Sequence, residues 1–132
     1  RFLSHPTISS SDVAAIGSPA ARRAIADFEQ SLAVEEDPDV RLALAEALRF
    51  DPATPPMRPI EEVQTILSME PDHPAATFLL GELRLMRASF QPEWADSARV
   101  SFEKVLVLTE PGDPLRDRAE EALAQVAAHS AG

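Results

Sequence analysis

Two stretches of the sequence decide the fold: residues 60–74 read IEEVQTILSMEPDHP, and residues 100–114 read VSFEKVLVLTEPGDP. Each has apolar residues spaced by three or four, then a polar tail, Glu-Pro, two linker residues and a second proline. The spacing predicts an amphipathic helix, and proline either stops a helix or occupies its first turn. Each stretch therefore predicts the end of one helix and the start of the next.

The same organisation extends along most of the chain. A weaker copy, FEQSLAVEEDPDV, covers residues 28–40, and the copies lie about 35 to 40 residues apart. Twelve prolines in clusters separate segments with helical periodicity, and no segment alternates with period two. The core is rich in Ala and Leu, with six Phe, one Trp and no Tyr, which favours packed helices over sheets. We expect an all-α fold of about six helices.

Composition excludes several classes of partner. The formal net charge is −10, with a single lysine, so the concentrated basic surface that nucleic acids require is absent. No apolar run approaches the length of a bilayer span, which predicts no direct membrane insertion of this segment. Cysteine is absent, which excludes disulfides and thiolate chemistry. An amphipathic, partly basic protein or peptide is the partner that such a charge attracts.

Residues 1–17 differ from the rest, because Ser and Thr are dense and no helical period emerges. They predict an irregular lead-in, followed by a helical domain over residues 18–128 with a capping helix from Pro114. The chain starts with Arg1 rather than Met, which predicts a processed product or part of a longer protein.

Small and aromatic residues occupy corresponding positions in the repeated units. In the clearest copy they are Leu80, Gly81, Phe90, Ala98, Phe102 and Pro111, and in the middle copy Leu44, Ala45, Leu48, Val63, Leu67 and Pro71. This pattern resembles the tetratricopeptide repeat (TPR), a helix–turn–helix unit of 34 residues. The resemblance implies a TPR-like α-solenoid of antiparallel helix pairs. A plain helical bundle is the alternative.

The sequence departs from the family pattern in a few places. Arg84 stands where an aromatic residue is common, and Pro59 where a small Ala is expected. About five extra residues around QPEWAD predict an earlier start of that second helix, at Pro92. Within the family, FLLGELRLMRASF and FEKVLVLTEPGDPLRDRAEEAL are similar to C-terminal repeat domains of bacterial cytochrome c maturation proteins of the haem-lyase assembly type. That similarity implies a periplasmic domain that holds the C-terminal helix of apocytochrome c; the cytoplasm is the alternative compartment.

The TPR frame also implies a partner-binding groove lined by the first helix of each repeat. Its inward positions in this sequence are Leu42, Glu46, Arg49, Phe50, Phe78, Glu82, Leu85 and Met86, and the capping helix contributes Glu121 and Gln125. An apolar floor with glutamates suits an amphipathic helix that carries basic residues. Packing between repeats is the alternative role of Phe50, Leu85 and Met86. Glu46 and Glu82 would repel the C-terminal carboxylates of heat-shock chaperones, which disfavours that function.

Trp94 is a possible interface anchor, since exposed indoles are common hot spots. Its spacing to Ala98 and Phe102 favours packing along its own helix instead.

No motif predicts catalysis, a metal or a cofactor. His5, His73 and His129 are far apart, and none has a ligand at the spacing of a helical metal site. Neighbouring carboxylates such as Glu61 and Glu62 point about 100° apart on a helix, so they cannot act as an acid–base pair. The sequence thus predicts a non-catalytic protein-binding scaffold, and the resemblance implies one of the cytochrome c maturation type. The alternative is a structural accessory subunit of a larger complex, membrane-associated or not.

Overall fold

Proline begins four of the helices, because its missing N–H has no partner to lose in the first turn. The computed structural model describes residues 18–131, so residues 1–17 and Gly132, and with them the expected lead-in, lie outside the described residues. The helices are α1 (Pro19–Val34), α2 (Pro38–Leu48), α3 (Arg58–Met69), α4 (Pro74–Ala88), α5 (Trp94–Leu108) and α6 (Pro114–Ala131). Over residues 18–131 there is no strand, which confirms the all-α prediction and the count of six helices.

Side chains before the prolines satisfy the first backbone N–H groups of these helices. Ser18 Oγ accepts from the Ala21 N–H at 3.1 Å, and Asp37 Oδ1 accepts from the Asp39 N–H at 2.9 Å. His73 caps α4 through Nδ1, which lies 3.1 Å from the Ala76 nitrogen. These caps explain why the helices begin where the Ser-Pro, Asp-Pro and His-Pro pairs predict.

The start of α5 differs from the expectation at Pro92. The helix begins at Trp94, because residues 91–93 form a turn in which the Gln91 and Pro92 carbonyls accept from the Trp94 and Ala95 N–H groups at 3.0 Å. The additional residues of QPEWAD therefore lengthen the connection as well as the helix. The connection before α6 contains Gly112 at φ 96°, a left-handed conformation that favours glycine.

The chain divides into two compact units between Glu62 and Val63, inside α3. Unit 1 contains α1, α2 and the first turn of α3, and unit 2 contains the remainder of α3 with α4, α5 and α6. In unit 1, α1 packs on α2 around a small core. Its buried members are Ala24, Ile25, Phe28, Leu44, Ala47 and Leu48.

Unit 2 is built around α4, α5 and α6, each of which packs on the other two. Its core is larger in side-chain volume because two phenylalanines meet in it: the rings of Phe78 and Phe102 are 5.4 Å apart and inclined at 59°. The other buried members are Ala88, Ala95, Ala98, Val105, Ala119, Ala122 and Val126.

Contacts along the helices give their directions in unit 2. Just before α4, the Pro71 carbonyl accepts from Lys104 Nζ, in the second half of α5, at 2.8 Å. Near the end of α4, Arg84 Nη1 donates to the Ser97 carbonyl, near the start of α5, at 3.3 Å. Residue numbers rise on one helix as they fall on the other, so α4 and α5 are antiparallel.

Helix α6 runs the other way with respect to α5. Near its start, Arg118 lies 3.8 Å from Glu82, and near its end His129 Nε2 lies 2.9 Å from the Ala88 carbonyl oxygen. Residue numbers rise together on α4 and α6, so these two helices are parallel. Because α4 and α5 are antiparallel, α6 is antiparallel to α5. Arg116 Nη1 also donates to the Leu106 and Thr109 carbonyls at 2.7 and 3.0 Å, which satisfies the end of α5.

Gly81 allows α4 and α5 to approach closely. A Cβ at this position would lie 2.6 Å from Phe102 Cε1, well inside van der Waals contact. Ala98, one turn before Phe102, is fully buried. The two helices therefore meet through a small residue on one side and a ring on the other.

Candidate functional site

The residues expected to line a groove fall into two sets, one in each unit. Four lie on α2 or its C-terminal turn in unit 1: Leu42, Glu46, Arg49 and Phe50. Five lie in unit 2, on α4 and α6: Phe78, Glu82, Leu85, Met86 and Glu121. Each set is described on its own below.

Phe78 lies in the core of unit 2 and is only 5% exposed. The Arg118 guanidinium covers its ring, with the carbon Cζ 4.6 Å from the ring centroid. A cation over an aromatic face is attracted by the ring quadrupole. At this point the surface is therefore formed by Arg118 rather than by the predicted aromatic ring.

Glu82, Leu85 and Met86 lie on α4 and differ in accessibility. Glu82 is half-buried and 3.8 Å from Arg118. Leu85 is half-buried against the core of unit 2, and Met86 is 44% exposed. On α6, Glu121 is exposed. We call Glu82, Leu85, Met86 and Glu121 the α4/α6 surface; it combines acidic and apolar groups.

In unit 1 the expected residues form a mixed surface at the end of α2. Glu46 is exposed, whereas Leu42, Arg49 and Phe50 are half-buried. The Arg49 guanidinium carbon lies 4.7 Å from the centroid of the Phe50 ring. Phe50 thus presents part of its area to solvent, together with a cation, at this end of the helix.

Trp94 is half-buried and packs against the core of unit 2, to which the fully buried Ala98 and Phe102 belong. Its indole Nε1 donates to Gln91 Oε1 at 2.9 Å, and the Arg87 guanidinium carbon lies 5.4 Å from its ring centroid. The indole therefore packs on the core, while its N–H is hydrogen-bonded at the surface.

A network of ion pairs in unit 1 was not expected from the sequence. Arg41 on α2 donates to both carboxylate oxygens of Glu36, through Nε at 2.9 Å, and also to Glu62 on α3. Arg58 lies 3.5 Å from the other oxygen of Glu62 and donates to Glu29 on α1 at 2.6 Å. The network joins α1, α2 and α3, so Glu36 and Glu62 are not simply solvated acids.

The network changes the acid–base properties of its members. Hydrogen bonds from Arg41 lower the pKa of Glu36, against a smaller opposing effect of burial. The hydrogen bond with Glu36 is the main cause that raises the pKa of Arg41, and the bond with Glu29 does the same for the pKa of Arg58. Only the shift of Glu36 therefore bears on stability in the ordinary pH range, because arginine is cationic there in any case.

The network and the exposed Phe90 are features that periodicity missed. Phe90 matches the turn aromatic of the repeat pattern, yet its side chain is 84% exposed. Glu29 and Arg58 are 29 residues apart, so no local spacing signals their contact. The one contact of the network that local spacing could have predicted is Arg58 with Glu62, because residues four apart on a helix favour an ion pair.

Over the described part of the chain, no three His, Asp or Glu side chains come together in a way that could hold a metal ion. No helix in residues 18–131 is long and apolar enough to cross a membrane. Comparisons with protein-family models, with curated proteins and with solved structures found no match for this chain.

Proposed function

We propose that the chain is a non-catalytic, TPR-like scaffold that binds a protein partner through helix surfaces. The observation that carries the proposal is the order of helices in unit 2. An antiparallel pair, α4 and α5, is followed by α6, which runs parallel to α4. A solenoid of helix pairs repeats this order, because each new pair begins with a helix parallel to the previous first helix.

Two further features support the repeat architecture. Gly81 and Phe102 meet where the family pattern has a small residue and an aromatic, and the contact leaves no room for a Cβ. Helix α6 carries acidic residues on its solvent-facing side, where Asp117 and Glu120 are both exposed. Terminal helices of repeat stacks need such a polar outer face, so α6 suits the role of a capping helix.

The proposed partner is an amphipathic, partly basic helix or peptide. On the α4/α6 surface, Met86 and Leu85 offer apolar area, while Glu121 and Glu82, the latter 3.8 Å from Arg118, offer carboxylates. In unit 1, Glu46 and the exposed part of Phe50 offer the same combination. A helix with apolar residues at i, i+3 and i+4 and lysines on its flanks would complement either surface.

The sharper version of the proposal is assembly of c-type cytochromes, in which the held segment is the C-terminal helix of an apocytochrome c. It rests on the similarity of the segments FLLGELRLMRASF and FEKVLVLTEPGDPLRDRAEEAL to repeat domains of that system. A periplasmic location belongs to this version.

The test is a calorimetric titration of the chain with a synthetic peptide of an apocytochrome c C-terminal helix and with a generic amphipathic peptide flanked by lysines. We expect binding of the generic peptide to weaken about tenfold when Glu82→Lys and Glu46→Lys are combined, because like charges then oppose. Glu110→Lys with Glu35→Lys is the matched control, since both glutamates are exposed and lie outside α2, α4 and α6.

The outcomes separate the general proposal from its sharper version. Equal binding by the Glu46/Glu82 variant and the wild type, or no binding of either peptide, contradicts the scaffold proposal. Binding of the generic peptide with none of the cytochrome peptide removes the cytochrome c version alone. Circular dichroism of each variant checks that the helices are intact.

A structural subunit of a larger complex is the second candidate, and exposed valines favour it. Val34 is 88% exposed, and on the outward side of α5 Val107 and Val100 are 83% and 55% exposed. Apolar side chains in such positions gain stability when a neighbouring subunit covers them. Co-purification of the chain in a stable stoichiometric complex, lost in Val100→Ser with Val107→Ser, would favour this candidate over peptide binding.

A further inference from the structure

One end of unit 2 gathers cations and aromatic rings. There α4 ends at Ala88 and α5 begins at Trp94, and the end of α6 is brought to the same place by the contact of His129 with the Ala88 carbonyl, 2.9 Å away. We call the group formed by Arg84, Arg87, Phe90 and Trp94 the basic end. It does not include the α4/α6 surface described above.

Arg84 and Arg87 differ from the other arginines of unit 2. Arg99 lies 3.2 Å from Glu103, Arg116 lies 4.0 Å from Glu120, and Arg118 lies 3.8 Å from Glu82. Within the described residues, neither Arg84 nor Arg87 has a carboxylate partner. This is unexpected in a segment where residues 63–132 hold eleven acidic and six basic side chains, a net charge of −5.

The hydrogen bonds of these two arginines are incomplete. Arg84 Nη1 donates to the Ser97 carbonyl at 3.3 Å and to Ser101 Oγ at 2.9 Å, and Arg87 Nη2 donates to Gln91 Oε1 at 3.2 Å. The Nε atoms of both are buried without an acceptor. Burial lowers the pKa of Arg84, and no carboxylate opposes this effect. Both side chains are half-buried rather than enclosed, so their guanidinium groups can still pair with an anionic acceptor from outside. Charge-assisted bonds of this kind are the strongest that a guanidinium forms.

Phe90 places a large apolar group beside these cations. It is 84% exposed, whereas Phe78 and Phe102 in the same unit are 5% and 0% exposed. Phe90 follows Arg87 by three residues, and its backbone N–H donates to the Arg87 carbonyl at 3.0 Å, so the two lie in one turn. Full burial of an exposed aromatic side chain stabilises a complex, and such residues are enriched at hot spots.

We propose that the basic end docks an acidic peptide segment of a partner protein, with Asp or Glu residues on either side of a large apolar side chain. The carboxylates pair with Arg84 and Arg87, and the apolar side chain packs on Phe90 and on the part of Trp94 that remains accessible. A nucleic acid does not suit the site, because two cations are too few to offset the repulsion of the negative chain around them. The site is separate from the α4/α6 surface and has the opposite charge preference.

The single tryptophan of the chain is a built-in probe of this site. The experiment titrates the full chain with a capped synthetic peptide of about 12 residues, in which glutamates flank one Leu and one Phe and which contains no Trp. Fluorescence of Trp94 and calorimetry are recorded together. The two matched peptides carry Lys for every Glu, or Ala for the Leu and the Phe.

We expect the acidic peptide to shift the Trp94 emission and to bind more weakly as salt rises from about 50 to about 500 mM. Arg87→Ala and Phe90→Ala should each weaken its calorimetric affinity about tenfold. Arg99→Ala and Val107→Ala, an arginine and an exposed valine elsewhere on unit 2, should change it less than about twofold. The peptide without its Leu and Phe should bind about tenfold more weakly as well.

Several results would overturn the proposal. They are absence of binding of the acidic peptide up to about 1 mM, equal affinity in Arg87→Ala and Phe90→Ala, or equally tight binding of the lysine peptide that depends on these same residues. A concentration-dependent mass of the chain alone, abolished by Arg87→Ala and Phe90→Ala, would assign the site to a second copy instead.

Discussion

In unit 1, ion pairs connect α1, α2 and α3 through Arg41 and Arg58, and the buried core between α1 and α2 is small. In unit 2, the helices meet through the Phe78–Phe102 pair and the close approach at Gly81. Its arginines mostly serve backbone carbonyls or cover aromatic rings. The difference implies that unit 1 is sensitive to charge and pH, whereas unit 2 is sensitive to side-chain volume.

The largest effect is expected from Phe102→Ala. The ring is fully buried and contacts Gly81 and Phe78, so its removal leaves a cavity and should cost about 3–5 kcal/mol of unfolding free energy. Urea unfolding followed by circular dichroism measures the loss. Phe90→Ala is the control, because that ring is 84% exposed and its removal should change stability by less than about 0.5 kcal/mol. Equal effects of the two changes would contradict the core assigned to unit 2.

Gly81→Ala should have the next largest effect. The added Cβ would lie 2.6 Å from Phe102 Cε1, so one helix must shift, at a cost of about 1–3 kcal/mol. A double-mutant cycle with Phe102→Leu measures the coupling, and the smaller side chain should recover most of the loss. Additive effects of the two changes would show that the Phe102 ring is not what excludes a larger side chain at position 81.

Arg41→Ala tests the network of unit 1. Its removal leaves Glu62, whose side chain is 13% exposed, with a weaker partner in Arg58, and should cost about 1–2 kcal/mol near neutral pH. Hydrogen exchange should then accelerate in α1 and α2 more than in α5. Arg23→Ala, an exposed arginine on α1, is the matched control and should leave exchange unchanged.

The smallest effect is the acid dependence of that network. The folded-state pKa of Glu36 is lowered, so its contribution is present above the unfolded value of 4.5 and is lost as the pH falls below it. Because its side chain is 38% exposed, the contribution should stay below about 1 kcal/mol. The stability difference between the wild type and Arg41→Ala should therefore shrink between about pH 5 and pH 3. If this stability difference stays constant between about pH 5 and pH 3, Glu36 does not contribute to it.

The local features of the fold follow from sequence, because they depend on neighbours in the chain. Pro19, Pro38, Pro74 and Pro114 mark helix starts directly, and the spacing of apolar residues identifies the helical segments. The predicted start of α5 at Pro92 was wrong, because residues 91–93 form a turn in which the Gln91 carbonyl accepts from the Trp94 N–H. The helix begins only after this turn.

The candidate sites depend on distant contacts, which explains why sequence alone predicted them less well. The resemblance to the TPR pattern implied an inward position for Phe78, but the cation that covers its ring comes from Arg118, 40 residues later. The exposure of Phe90 depends likewise on the absence of a neighbour over the turn in the described structure, and no spacing rule contains that information.

The hydrogen bond from Lys104 to the Pro71 carbonyl has a practical consequence for labelling. Lys104 is the one lysine of the sequence, and its side chain is exposed. Amine-directed reagents therefore meet a single ε-amino group, next to the loop between α3 and α4. Acylation there removes the charge but keeps one N–H donor, so a dye can be attached without any substitution, at a residue of α5 that belongs to none of the candidate surfaces.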